Sequence, residues 1–196
     1  TLLCKVNDYT DFEVIGRTRD DAAGEAMDKA ARTLGLPYPG GVNLDKISKT
    51  GDNTKYKFPK PRVDGCPLDF SFSGLKTAVI NLVHNEEQKG NEINKCDIAA
   101  SFQKTATSML ISRLMLAADN LGHNKIAIAG GVAANSQLRE IVQNECKKRN
   151  AKLYLPPLSL CGDNAVMVGS QGYYEYLSGN VAGLELNAFA GKSIEE

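Results

Sequence analysis

The sequence predicts an α/β fold, a mixed sheet with flanking helices, and three observations lead to it. Two short β-rich runs, Leu2 to Val6 and Phe12 to Thr18, open the chain around the polar turn Asn7 to Asp11. From residue 97 onward helical and strand patterns alternate α-β-α-β-α, a succession that closes as parallel strands with right-handed helical crossovers. Hydrophobic residues make up 42% of the 196 and charged ones 23%, so the chain can bury a core and is not disordered throughout.

Between those strands and that alternation, Ala22 to Leu34 reads as a helix, with Gly35 as its stop and Pro37 and Pro39 beyond. Residues 36–68 hold five prolines, several glycines and one short helical candidate, Leu44 to Lys49, and read as an insertion. Asp69 to Phe72 alternates like a short strand. Gly74 to His84 then turns helical, with Leu75, Val79 and Leu82 on one face and His84 on the opposite, solvated one. Asn85 to Lys95 is polar and loop-like. Asp97 is expected to cap a long helix to Leu121, whose stripe is Ile98, Phe102, Ala106, Met109, Leu110, Ala117 and Leu121. A strand at Lys125 to Ala129, a helix at Asn135 to Arg149, a strand at Lys152 to Leu155 and a helix at Asn164 to Leu177 follow.

Charge and cysteine usage exclude several classes. Lys+Arg and Asp+Glu both number 23, so bulk positive charge does not drive nucleic-acid binding, although a local patch can. The longest nearly apolar run, Ile126 to Ala134, has nine residues, far short of the roughly 18 a membrane span needs, and no charged-then-apolar leader opens the chain. Five scattered cysteines form no Cys-x-x-Cys pair, so reduced thiols in the cytoplasm are expected rather than a disulfide framework or a zinc ribbon. His84 and His123 are 39 positions apart, which rules out a metal site of paired helical histidines.

Four segments carry candidate chemistry. Gly130-Gly131-Val132-Ala133-Ala134-Asn135 joins a buried strand to a helix, so backbone can approach a ligand and helix N–H groups can face an anion. It is neither a Walker loop nor Gly-x-Gly-x-x-Gly, and it reads equally as a tight turn with Asn135 as helix cap. Cys161-Gly162-Asp163-Asn164 follows the second parallel strand, where Asp163 either caps the next helix or holds a divalent ion against a phosphate. Asp21, Glu25 and Asp28 fall on one stripe of the first helix, with Gly24 among them. Carboxylates so placed suit ribose hydroxyls, or form a solvated face with Arg32 paired to Asp28. Between Lys46 and Arg62, six basic residues stand against one acid, with Tyr56 and Phe58 interleaved, as in a single-stranded RNA contact or a solvated loop.

Together these segments resemble the tRNA threonylcarbamoyladenosine synthase transferase family, once called O-sialoglycoprotein endopeptidase or glycoprotease. The likeness rests on Asp20-Asp21-Ala22-Ala23-Gly24-Glu25-Ala26, Tyr38-Pro39-Gly40-Gly41, Asp69-Phe70-Ser71-Phe72-Ser73-Gly74-Leu75-Lys76, the 130–135 loop and Cys161-Gly162-Asp163-Asn164-Ala165. It implies an actin-like, sugar-kinase-like ATPase fold, of which residues 1–196 would be the carboxyl-terminal lobe, and a cytoplasmic protein. It also implies transfer of threonylcarbamoyl from its adenylate to the exocyclic amine of the adenosine after the anticodon. By motif match, Asp28, Gly41, Asp45, Gly130, Gly131 and Asn135 would contact an adenine nucleotide or the threonylcarbamoyl-adenylate. Asp163 would ligate one divalent ion, iron or zinc. Implied partners are tRNA, a paralogous actin-fold subunit and a small ATPase, with no membrane.

The family's other metal ligands are two histidines of an upstream His-x-x-x-His motif, to which nothing here corresponds. Thr1 resembles the last residue of a Ser-Gly-Gly-His-Thr segment, which implies that the amino-terminal lobe is absent and that this chain alone is inactive. An actin-fold small-molecule kinase, a metallopeptidase and a non-catalytic scaffold remain as rivals. The metallopeptidase lacks its His-Glu-x-x-His, and the scaffold would be expected to lose the carboxylate at 163.

Overall fold

The structure, a computed structural model, describes residues 1–188; positions 189–196 of the expected 1–196 lobe lie outside the described residues. β1 (Leu2–Asp8) and β2 (Asp11–Arg17) pair antiparallel across the tight turn at Tyr9 and Thr10. The strand expected at 69–72 reduces to one parallel bridge between Thr18 and Phe70. The Asp69 carboxylate takes the Arg17 N–H at 2.9 Å, and that of Asp20 takes the Phe72 and Ser73 N–H groups at 2.7 and 3.2 Å. Ladder pairing is confined to the Phe70 N–H and carbonyl, which bond to Arg17 and Arg19, side chains take the neighbouring donors, and the backbone turns directly into a helix.

Four helices build the first core. α1 (Ala23–Thr33) buries Ala23, Ala26, Met27, Ala30 and Ala31, and these small side chains let neighbours approach closely. α2 (Gly40–Ser48) starts four residues before the expected helix and buries Leu44 completely. A Cβ at Gly40 would lie 2.8 Å from the Asp28 Cα and 2.9 Å from the Ala31 Cβ, so only glycine fits this crossing of α1 and α2. α3 (Ser73–Gln88) runs four residues past His84, with Leu75, Val79 and Val83 buried and Leu82 only half-buried. α4 (Lys95–Leu121) is capped by Asn94, which accepts from the Cys96 and Asp97 N–H groups; Asp97 instead accepts from the Asp52 N–H. Of the stripe expected on α4, Ile98, Phe102, Ala106, Met109 and Ala117 are buried, while Leu121 is exposed.

β3 (Lys125–Ala127), α5 (Ser136–Lys148) and β4 (Lys152–Tyr154) complete a parallel crossover, each strand shorter than expected. The two pairs of strands remain separate two-stranded sheets among the described residues, so the single mixed sheet is not observed. A second core of Ile111, Met115, Ile126, Leu138, Val142 and Cys146 forms around the crossover. Leu110 and Leu114 of α4 pack against both cores. α6 (Ala165–Leu177) buries none of its residues. It touches the hairpin turn, where Tyr174 stacks on Tyr9 at 3.8 Å between centroids and Gln171 donates to the Tyr9 carbonyl. No helix among the described residues is long and apolar enough to cross a membrane.

Arg113, buried on α4, anchors the irregular chain before α3. It donates to the carbonyls of Asp69 (2.6 Å), Pro61 (2.9 Å) and Met109 (3.3 Å) and lies 5.5 Å over the Phe70 ring. Burial pushes its guanidinium pKa down, with Arg62 adding to the effect, yet the group stays charged because arginine starts so high.

Two predictions follow from this packing. Leu44→Ala should cost about 2–5 kcal/mol, lowering the urea midpoint with an unchanged slope, whereas Val42→Ala on the exposed side of α2 should change stability by less than about 0.5 kcal/mol. Burial raises the Asp69 pKa, but the Arg17 N–H and the Arg19 guanidinium outweigh it and hold the carboxyl below its ordinary value of 3.8. Its contribution is therefore present above that value and lost as pH falls through the lowered one. Asp69→Asn should be less stable at neutral pH, with the gap in urea midpoints closing as pH falls below 3.8; a gap independent of pH would contradict it.

Candidate functional site

The turn after β3 is open on its outer side. Gly130 has φ +84°, a conformation that side chains other than glycine's resist, and a 3-10 turn at Gly131–Ala134 follows. A Cβ at Gly130 or Gly131 would meet nothing within 4 Å, so this backbone faces free space. Asn135 then caps α5, its Oδ1 accepting the Leu138 N–H at 2.9 Å. Capping and an open glycine turn coexist here, as both sequence readings required.

Asp45 joins this turn to the helical core. Its Oδ1 accepts three hydrogen bonds: from the Ser136 hydroxyl at 2.8 Å, the Gln103 side-chain amide at 2.9 Å and the Ser136 N–H at 3.3 Å. Its Oδ2 lies 3.8 Å from the Lys49 ammonium. The carboxylate draws the Gln103 amide nitrogen toward itself, which leaves the buried Gln103 Oε1 without a partner among the described residues. Capping likewise turns the Asn135 oxygen inward and leaves its buried Nδ2 unpaired. Each unsatisfied group costs about 1–3 kcal/mol, and two flanking one junction mark a place where stability has yielded to another requirement.

The acidic stripe of α1 divides. Asp21 precedes the helix and binds Lys29 and Lys76, each at 2.8 Å; both cations hold its carboxyl below the ordinary range. Glu25 pairs with Lys29 at 2.6 Å, so Lys29, rather than Arg32, supplies the counter-charge. Asp28 accepts the Gly41 N–H at 2.7 Å and so caps α2 from a neighbouring helix. Gly24 gives close approach to protein: a Cβ there would lie 3.3 Å from Val132 of the glycine turn.

Arg139 ties the two loops together. Its guanidinium donates to the carbonyls of Ala133 and Pro156, each at 2.6 Å, and to the Cys161 sulfur at 3.3 Å. Asn164, not Asp163, caps α6, accepting the Met167 N–H at 3.0 Å. Asp163 is exposed two residues beyond Cys161. No three His, Cys, Asp or Glu side chains among the described residues assemble into a metal site, so Asp163 by itself does not fit a bound ion. Hollows of about 390 and 450 Å³ lie toward the carboxyl ends of α4 and α5, and neither includes a residue of the two loops. The candidate site is an open wall.

Tyr56 and Phe58 pack against the first core, Phe58 edge-on to Phe102, and are not free to stack on bases. Gln103, Ser136 and Arg139 emerge only from the structure. Gln103 left one trace in the sequence, a polar residue on the apolar face of α4 four positions after Ala99. Arg139→Lys cannot reproduce the forked contacts. It should cost about 1–3 kcal/mol and speed amide exchange across 130–134, leaving exchange in α1 unchanged.

The chain is similar to known proteins over most of its length. The family described as TsaD, tRNA N6-adenosine threonylcarbamoyltransferase, matches residues 1–170. A tRNA N6-adenosine threonylcarbamoyltransferase of Clostridium botulinum (strain Kyoto / Type A2) is 51% identical over 188 residues, covering 96% of this chain and 55% of the relative. That of Clostridium perfringens (strain ATCC 13124) is 50% identical over 188 residues, covering 96% and 56%. The chain thus spans little more than half the length of these relatives. The crystal structure of HypF from T. kodakarensis superposes with a TM-score of 0.60 at 22% identity, over 81% of this chain and 20% of that one, a likeness of fold alone. With half its sequence shared across nearly its whole length, this chain belongs to the tRNA N6-adenosine threonylcarbamoyltransferase family.

Proposed function

We propose that the complete protein transfers threonylcarbamoyl from its adenylate to the exocyclic amine of the adenosine that follows the anticodon of tRNA. This chain supplies one wall of the nucleotide site. The observation that carries the reading is the Asp45–Ser136 contact, which sets a carboxylate beside an open glycine turn at a helix N-terminus. Gly130, Gly131 and Asn135 would face the nucleotide's phosphate. Asp28, at Gly41, and Asp45 would offer their second carboxylate oxygens to ribose hydroxyls.

An adenine amine is a weak nucleophile because its lone pair is delocalised into the ring, so the carbonyl must arrive activated and in place. The amine nitrogen bonds to the carbonyl carbon, the bond to the phosphate oxygen breaks, and AMP and a proton leave. Holding the adenylate rigidly is what these residues contribute. Asp163 would be one donor to a divalent ion, iron or zinc, with the remaining ligands from outside this chain.

The reading extends to an actin-like carboxyl-terminal lobe in a cytoplasmic protein working with a paralogous subunit and a small ATPase. It is supported by the apolar surface that α6 leaves exposed, including Val166, Val168 and Leu177. Calorimetric titration of AMP should show Asp45→Asn weakening binding at least tenfold, with sugars and peptides inert as acceptors. Threonylcarbamoyl transfer to tRNA by this chain alone should be undetectable. Unchanged AMP affinity in the variant, or clear turnover by the chain alone, would overturn these assignments.

A further inference from the structure

The protein is electrically neutral overall, yet its charges are unevenly placed. The acids near the start of α1 are neutralised within the fold: Asp21 by Lys29 and Lys76, Glu25 by Lys29, and Asp69 by Arg19. The irregular segment between α2 and α3 is the opposite case. Lys55, Lys57, Lys60 and Arg62 are all exposed, while Tyr56, Phe58 and Pro61 between them are half-buried. Tyr56 and Phe58 are rooted in the core, the Tyr56 N–H donates to the Ser101 hydroxyl, and the Pro61 carbonyl is held by Arg113. Phe58 and Lys60 each precede a proline, which drives both toward extended backbone.

Tyr56, Phe58 and Pro61 thus pin the segment and leave its cations exposed. In an extended chain, side chains two residues apart lie about 6–7 Å from one another. Lys104 on α4, bonded to Asn53 at 2.9 Å, adds a fifth cation beside the strip. Of the two acids that flank the strip, Asp52 has its Oδ1 engaged by the Thr54 N–H and hydroxyl, and Asp64 is exposed two residues beyond Arg62. Four exposed cations within eight residues of an anchored segment suit a partner with repeated negative charge and no required base sequence.

The structure assigns residues 55–62, we infer, as the surface that grips the phosphate backbone of the RNA substrate. The identity of that polyanion rests on the proposed tRNA reading. The cations themselves contact phosphate, and the anchored aromatics position them without touching bases.

The test is fluorescence anisotropy with an unmodified tRNA transcript over a salt series, using the chain in which Lys55, Lys57, Lys60 and Arg62 are all changed to Gln. A control changes Lys89, Lys125, Lys147 and Lys152, also exposed, to Gln. Circular dichroism should show all three proteins folded. The strip variant should bind tRNA at least tenfold more weakly, with the slope of log affinity against log salt reduced by about 3, while the control shifts little. Equal losses in the two variants, or no tRNA binding by the unaltered chain, would overturn the inference. Polyglutamate bound as tightly as tRNA, and lost in the strip variant alone, would overturn it in favour of an acidic protein partner. If the complete protein fails to modify tRNA while strip-dependent tRNA binding persists, the transferase reading falls and the surface stands.

Discussion

The oxygen Oδ1 of Asp45 holds together three parts of the chain that are remote in sequence. It accepts from Gln103 on α4 and from both donors of Ser136 at the start of α5, while Asp45 itself belongs to α2. Two cores meet along α4, one shared with α1, α2 and α3, the other with α5 and the parallel strands. Apolar contacts alone would let these cores slide, because burial is non-directional. A carboxylate oxygen with three donors fixes distance and orientation together. The glycine turn therefore sits in a defined relation to α2, and every geometric argument about the site inherits its precision from that one atom.

How much of this was legible in the sequence depended on whether the partners were local. α1, α4 and α5 were readable from apolar periodicity, and Asn135 from its place before a periodic run. α2 was half-hidden, because Pro37, Pro39, Gly40 and Gly41 look like breakers. The helix nevertheless starts at Gly40, because Asp28 supplies the missing cap from another helix and Gly40 fits a close crossing that a Cβ would block. The strand at 69–72 failed for the same reason, since Asp20 and Asp69 satisfy backbone donors that alternation had assigned to a ladder. The roles of Arg139 and Gln103 were hidden because their partners lie on other elements, Gln103 showing only as a polar residue on an apolar face.

Charge shows a similar division between what composition conceals and what placement reveals. Equal totals of acid and base describe both a protein of paired surface ions and one with segregated fields. Here Asp21, Glu25 and Glu86 meet lysines, and their lowered carboxyl pKa values follow from those bonds. For Asp20, burial works the other way but is outweighed by the Ser71 hydroxyl and the Phe72 and Ser73 donors. Cations left over by this pairing concentrate where the chain has no regular structure to repay ordering it. That segment is ordered all the same, by aromatic side chains rooted in the core and by one buried arginine.

Under the proposed reaction, this wall is one part of a site, since the chain spans little more than half the length of its relatives. A transferase that joins a small activated acyl donor to a folded RNA must admit a macromolecule on one side while fixing the donor on the other. A closed cavity would bury the adenylate well and exclude the adenosine. The glycine turn with free space outside it, two acids with one oxygen committed to structure, and a lone exposed carboxylate at 163 meet the first requirement: they give positioning without enclosure. Exclusion of water from the mixed anhydride would then have to come from surfaces outside this chain. In the proposed reaction the weak amine would gain from proximity to a rigidly held adenylate, which is the part of catalysis this wall could supply.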